Sequence, residues 1–175
     1  MSEDLQIVVL DAGGVTTAAD DLGRVLVDCV EGGASVSFMH PFGHEEAVGY
    51  FHKVAGEVGR GETVLLAARH RGGIVGTVQI GLAMPPNQMH RADVRKLLVH
   101  RVARRSGIGA ALMSAVEHAA RRHGRTLLVL DTAAGGDAER LYRRGGWVQT
   151  GVIPGYALWP HGPPCDTVIF WKRLG

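Results

Sequence analysis

The feature that most constrains this 175-residue chain is a run of three segments near its middle. Residues 92–99 read as a strand. Residues 107–123 carry Ile108, Ala111, Leu112, Ala115, Val116 and Ala119 along one stripe of a helix. Residues 126–130 are apolar through their centre, as a parallel strand covered on both faces would be. Strand, crossover helix and strand together predict an α/β chain with two parallel strands side by side, and a turn that enters the helix at their carboxyl ends.

The flanking segments extend this sheet. Leu5-Gln6-Ile7-Val8-Val9-Leu10 predicts a first strand that stops at the turn Asp11-Ala12-Gly13-Gly14. A helix at about 20–31 has Leu22, Val25, Leu26, Cys29 and Val30 at helical spacing and closes at Gly32-Gly33. After a loop at 34–43, a second helix is predicted at about 44–58. The strands 63–70 and 74–82 hinge on Arg71-Gly72-Gly73, the pattern of an antiparallel hairpin. A short helix at 138–144 and strands at 147–153 and 167–173 complete the chain.

With 46% hydrophobic and 21% charged residues, the chain is expected to form one domain over residues 1–175, and disorder or coiled coil is a poor reading. No apolar run approaches the roughly 18 residues of a membrane helix. The acidic start Met1-Ser2-Glu3-Asp4 lacks the basic region of a secretion signal, so a cytoplasmic protein without a membrane partner is expected. Cys29 and Cys165 are too far apart in sequence for a Cys-x-x-Cys site, and His40 and His44 are separated by Pro41 and Gly43, which oppose a shared helix face. No metal is expected.

Charge is unevenly spread: residues 1–90 carry 5 Lys/Arg against 11 Asp/Glu, and residues 91–175 carry 14 against 6. Arg91, Arg95, Lys96, Arg101, Arg104, Arg105, Arg121, Arg122 and Arg125 crowd one stretch, opposed by Asp93 and Glu117. No nucleic-acid-binding motif accompanies them, so a small phosphorylated ligand is favoured over nucleic acid. Within that stretch lies Val99-His100-Arg101-Val102-Ala103-Arg104-Arg105-Ser106-Gly107-Ile108-Gly109-Ala110. A Gly- and Arg-rich turn at a helix N-terminus presents unpaired N–H groups at the positive end of the helix dipole, which suits a pyrophosphate. Leu112 stands where a dinucleotide-binding motif needs Gly or Ala, and the Gly-Lys-Ser/Thr of the Walker motif is missing.

At these residues the chain resembles the GNAT superfamily of acyl-CoA-dependent N-acetyltransferases, whose phosphate signature matches Arg104-Arg105-Ser106-Gly107-Ile108-Gly109. A second segment of that family matches Ala138-Glu139-Arg140-Leu141-Tyr142-Arg143-Arg144-Gly145-Gly146-Trp147, with Gly145 where a bulkier residue is common. Gly32-Gly33-Ala34-Ser35-Val36, Arg91-Ala92-Asp93-Val94-Arg95-Lys96-Leu97, Leu130-Asp131-Thr132 and Pro154-Gly155-Tyr156 are similar to the tabtoxin-resistance group within it.

The resemblance implies a mixed α+β fold, with a sheet of about six to seven strands and about four helices, its two central parallel strands splayed. It implies acetyl-CoA as cosubstrate, held by backbone near Leu98 and Val99 and by Arg104, Arg105, Ser106, Gly107, Ile108, Gly109 and Ala110. Tyr142 would protonate the departing sulfur, and Asp93 or Asp131 would receive the acceptor's proton. Ser35, Phe38 and Trp159 would flank a small-molecule amine. The expected activity is direct acetyl transfer to that amine, with an amino-acid-derived toxin or antibiotic as one candidate acceptor; the alternative is an acyl-CoA sensor that transfers nothing. A homodimer is left open.

Overall fold

The computed structural model describes residues 4–175. Its strands are β1 (Leu5–Leu10), β2 (Thr63–His70), β3 (Gly73–Gly81), β4 (Arg91–Val99), β5 (Leu127–Ala133), β6 (Val148–Leu158) and β7 (Pro164–Arg173). The helices are α1 (Ala12–Thr17), α2 (Ala19–Glu31), α3 (His44–Gly59), α4 (Ile108–Arg122) and α5 (Asp137–Arg144). One mixed sheet runs β1-β2-β3-β4-β5-β7-β6, and β4–β5 is its only parallel pair among the described residues.

Strand β2 shows how the layers form. Its side chains alternate between faces: Val64, Leu66 and Ala68 pack with α4, α5 and the inner residues of β5 and β7, whereas Leu65 and Ala67 pack with α1, α2 and α3. Six consecutive residues of β2 are buried, so both faces of the sheet are covered there. The two polar residues of β3 that face the α2–α3 layer are satisfied internally. Thr77 Oγ1 donates to Leu66 O at 2.9 Å, and the Gln79 amide bonds to the Tyr50 hydroxyl at 3.1 Å.

Among the described residues there are five α-helices where about four helices are expected. The Asp11-Ala12-Gly13-Gly14 segment is the start of α1, because Asp11 accepts from Gly14 N at 2.7 Å and so serves as its N-cap. Strand β6 also runs past the expected end at Ile153; its register with β7 breaks between Ile153 and Ala157, around Pro154 and Gly155, and then resumes. An interrupted ladder of this kind is tolerated at a sheet edge. No helix among the described residues is long and apolar enough to cross a membrane.

The central parallel pair is short. Arg91, Ala92 and Asp93 pair with Leu127, Leu128 and Val129, and pairing ends there although both strands continue. The β3–β4 ladder is irregular just beyond this point: Thr77 faces Leu98, but Gln79 faces Arg95, so β4 carries one extra residue opposite Val78. Lys96 adopts φ 54°, a left-handed conformation uncommon outside glycine. A bulge bends the strand that contains it, and this one turns β4 away from β5.

Leu112 is fully buried between α4 and the sheet. Leu112→Ala is expected to lower unfolding free energy by about 2–5 kcal/mol in a denaturant titration, with the midpoint moving and the slope unchanged.

Candidate active site

Past Asp93 and Val129, the facing edges of β4 and β5 have no strand partner, which opens a V-shaped gap. The phase of the β3–β4 ladder fixes which backbone groups look into it. His100 N donates to Val75 O at 2.9 Å, and alternate residues in an antiparallel ladder point opposite ways. Leu98 therefore directs its N–H and C=O toward β3, and the Leu97 C=O and Val99 N–H, on the far sides of the same two peptide planes, face the gap. The Leu98 side chain is buried with α2. The Val99 carbonyl is already engaged, accepting from Arg104 Nε at 3.0 Å and from Cys29 Sγ at 3.5 Å. The Val99 N–H and Leu97 C=O have no strand partner on the gap side.

The gap leads to the turn before α4. Arg105 (φ 61°) and Gly107 (φ 84°) both adopt left-handed backbone, and Gly107 is the N-cap without a side-chain cap. The first helical bond is Ala111 N to Gly107 O, so Gly107, Ile108, Gly109 and Ala110 have N–H groups that the helix leaves unpaired. These residues fit a diphosphate. Gly109 serves a second purpose: a Cβ there would come within 3.1 Å of Leu141 in α5, so its absence lets α5 approach α4.

The basic stretch is mostly spent on the protein itself. Arg91 pairs with Asp93, Arg95 with Glu57, Arg101 with Asp28, and Arg121 with Glu117. Arg125 is buried and donates to the carbonyls of Met89 and Leu82. Arg104 holds Val99 O and reaches Cys29 Sγ at 3.8 Å, so part of its donor set fixes the turn. Arg105 is exposed beside the open helix end.

The turn is tied to α2 through Asp28. Arg101 N and Nε donate to Asp28 at 2.7 and 2.8 Å, and His100 Nε2 lies 3.6 Å away. Burial disfavours the Asp28 carboxylate, but these donors outweigh it and hold its pKa below the ordinary value. His100 Nδ1 also accepts from Val102 N at 3.4 Å, so this histidine shapes the turn.

On the buried face of α5, Tyr142 packs against Trp147 and Phe170 with ring centroids 5.9 Å from each. Burial, and then the negative charge of Asp131, push the phenol well above its ordinary pKa, so it stays protonated at neutral pH. Among the described residues its hydroxyl has no hydrogen-bond partner, yet the oxygen is not sealed: Arg125 Nε is the one fully enclosed polar side-chain atom without a partner. An open, protonated phenol in an apolar wall can give a proton to a departing thiolate.

The two candidate carboxylates differ. Asp93 sits where β4 and β5 are still paired and is held by Arg91, whose Nε is fixed by Gln88 at 2.8 Å. Asp131 lies beyond the parting point, exposed, and close enough to affect both Tyr142 and Lys96 electrostatically. Lys96, absent from the sequence-derived site, joins this group from the bulge. Its Nζ donates to Ser37 Oγ at 2.8 Å and lies 5.7 Å above the Phe38 ring. Burial and then Arg95 lower its pKa, while Asp131 works in the opposite direction. In the sequence Lys96 stands beside Arg95, just before the apolar Leu97-Leu98-Val99 that ends β4.

The loop between α2 and α3 covers the acceptor end. Phe38 packs on Phe42 (4.5 Å between centroids) and edge-on to Tyr50 (5.2 Å). Ser35 Oγ donates to Leu158 O at 2.8 Å and accepts from Cys165 Sγ at 3.6 Å, which ties the loop to β6 and β7. His40 stacks on His161 at 4.6 Å, and His44 bonds to Asp20 at 2.7 Å, so the two histidines are engaged apart from one another. Trp159 lies at the β6–β7 turn, its N–H donating to Pro163 O. The structure thus gathers Phe38, Asp131 and Tyr142 with Lys96, gives Ser35 a tethering contact, and leaves Trp159 at the hairpin tip.

The family model described as an acetyltransferase (GNAT) domain matches residues 60–149, more than half of the chain. The chain belongs to the GNAT acetyltransferases. This acetyltransferase is also similar in fold to an N-acetyltransferase from Staphylococcus aureus Mu50, at 16% identity over 99% of this chain and 100% of that one, with a TM-score of 0.81. A Salmonella typhimurium acetyltransferase structure with its cofactor acetyl-CoA gives 16% identity, 99% and 95% coverage and a TM-score of 0.79. A ribosomal-protein-alanine N-acetyltransferase from Brucella melitensis gives 22% identity, 97% and 99% coverage and a TM-score of 0.79.

Asp28 yields a test of how the acetyltransferase holds its phosphate turn. Its lowered folded pKa means that its contribution is present above the unfolded carboxylate value of about 3.9, and is lost as pH falls below that value through the folded one. Asp28→Asn is expected to cost about 1–3 kcal/mol at neutral pH. In urea titrations across pH, the gap between the two proteins should narrow below about pH 4.

Proposed function

We propose that the protein, as one domain over residues 1–175, transfers the acetyl group of acetyl-CoA directly to a primary amine of a small molecule. The observation that supports this reading is the parting of β4 from β5 after Asp93 and Val129, with unpaired N–H groups at the start of α4 and a buried phenol, Tyr142, that senses Asp131 on the parted part of β5. When bound, acetyl-CoA supplies the activated thioester. Residues Gly107 to Ala110 and Arg105 hold its diphosphate, and Leu97 and Val99 hold its pantetheine arm.

Asp131 receives one proton from the acceptor ammonium, directly or through a water, and passes it to solvent. The freed amine nitrogen forms the C–N bond as the C–S bond breaks. Tyr142 gives its proton to the departing sulfur and is restored by the second proton the nitrogen loses. The amide keeps one of the three ammonium protons, so the transfer balances without a covalent enzyme intermediate. Asp131 is preferred to Asp93 as the base because Arg91 neutralises Asp93.

The similarity of residues 32–36, 91–97, 130–132 and 154–156 to the tabtoxin-resistance group supports an amino-acid-derived toxin or antibiotic as acceptor. Cytoplasmic action agrees with a small metabolite as substrate.

The test is thiol release from acetyl-CoA with a panel of amines, read beside calorimetric binding of acetyl-CoA. Tyr142→Phe should lower kcat by about 10²–10⁴-fold, the usual scale for a lost acid catalyst, while acetyl-CoA affinity stays within about threefold. Asp131→Asn should lower kcat/KM most at low pH, where more acceptor is protonated. Cofactor binding without release from any amine would instead mark an acyl-CoA sensor.

A further inference from the structure

The acceptor end of the gap holds two opposite charges that sense each other and yet do not pair. Lys96 Nζ spends one donor on the neutral hydroxyl of Ser37 and rests over the Phe38 face, which leaves two of its three N–H groups. Asp131 is the carboxylate that acts on it, but no ion pair joins them among the described residues. The neighbouring charges are committed elsewhere: Arg95 to Glu57 (2.5 Å) and Thr63 (2.9 Å), and Arg91 to Asp93. A half-buried cation without a counter-ion is costly, whereas the exposed Asp131 is solvated; a ligand bringing a carboxylate to Lys96 and a cation to Asp131 would complement both.

The arrangement also has a direction. Asp131 is the charge felt by Tyr142, which places it at the reacting end. Lys96 is bound to Ser37 and Phe38 of the covering loop, which places it at the far end of the acceptor. Ser37 (φ 77°) and Lys96 (φ 54°) both hold left-handed backbone, so the contact between them joins two unusual local conformations.

We propose that the acceptor is an amine bearing its own carboxylate, and that Lys96 binds this carboxylate while Asp131 receives the ammonium. The inference rests on the transferase reading above and narrows it. Free amino acids and amino-acid-derived antibiotics with an unblocked acid fit the site; polyamines and the N-termini of polypeptides, which have no carboxylate beside the amine, do not.

The experiment compares the common L-amino acids with their carboxamides, and with putrescine and spermidine, in thiol release by wild type, Lys96→Met and Lys96→Arg. The same acids and amides are then tested, with CoA present, for protection of Lys96 against trinitrobenzenesulfonate, read by peptide mass spectrometry. The expected result is a preference for acid over matched amide of about ten- to a hundredfold in kcat/KM, the worth of one charge-assisted hydrogen bond. Lys96→Met should reduce that ratio to about one, and Lys96→Arg should retain most of it.

Amides or polyamines used as well as the acids would overturn the carboxylate inference and leave the transferase standing. If acetyl-CoA binds and no amine turns over, protection of Lys96 by acids alone supports the anion site, and equal or absent protection overturns it. Failure to bind acetyl-CoA would overturn the transferase reading itself.

Discussion

The structure depends on a parting of two strands. Had β4 and β5 stayed paired along their whole length, their facing backbone groups would be consumed by each other and the sheet would have no opening. Pairing instead stops at Asp93 and Val129, and the bulge at Lys96 bends β4 away. Polar backbone groups in a buried sheet need partners, so the parted edges amount to a standing demand for an extended ligand with amide groups. The same geometry brings the start of α4 to the mouth of the gap, where a chain of amides can end in a diphosphate.

Around this opening, burial sets the chemistry. Tyr142 is kept protonated because Trp147, Phe170 and the apolar layer beneath α5 withhold the water that its phenolate would need. Asp131, one strand away and exposed, stays in contact with solvent and can pass protons to it. The two groups occupy opposite environments a short distance apart, which is a common way to separate acid from base within one site. The surrounding arginines contribute less than their number suggests, since most are paired within the protein.

Much of this was legible in the chain. Apolar runs and helical stripes placed every strand and four of the five helices, because their period is written in side chains that must face a core. The first helix was hidden by Gly13-Gly14, which read as a turn; only the cap by Asp11 reveals it. The full length of β6 was hidden by Pro154, which an edge strand can bypass. The Gly- and Arg-rich turn pointed to the open N–H groups at the start of α4, because sequence does record backbone chemistry of that kind. Ladder phase is not recorded, so which peptide groups beside Leu98 face the gap emerges only from the β3–β4 pairing. Nor could the sequence separate Asp93 from Asp131, which differ by a partner and not by type, or distinguish Lys96 from the other basic residues near it. Its role comes from one bulge that no local pattern announces.

The last turn of α2 has a double attachment. Asp28 grips the turn before α4, Cys29 meets Val99 O and Arg104, and three residues later the same backbone leaves through Gly32 and Gly33 as the loop that meets Lys96. The proposed cosubstrate and acceptor sites would therefore grow from one root. Variation in acceptor preference is cheapest toward the far part of that loop, around Ser37 to Met39, where a change does not reach the root. Variation at Asp28 or Cys29 would disturb both sites at once, so this short piece of helix is where the histories of cosubstrate binding and acceptor choice are bound together.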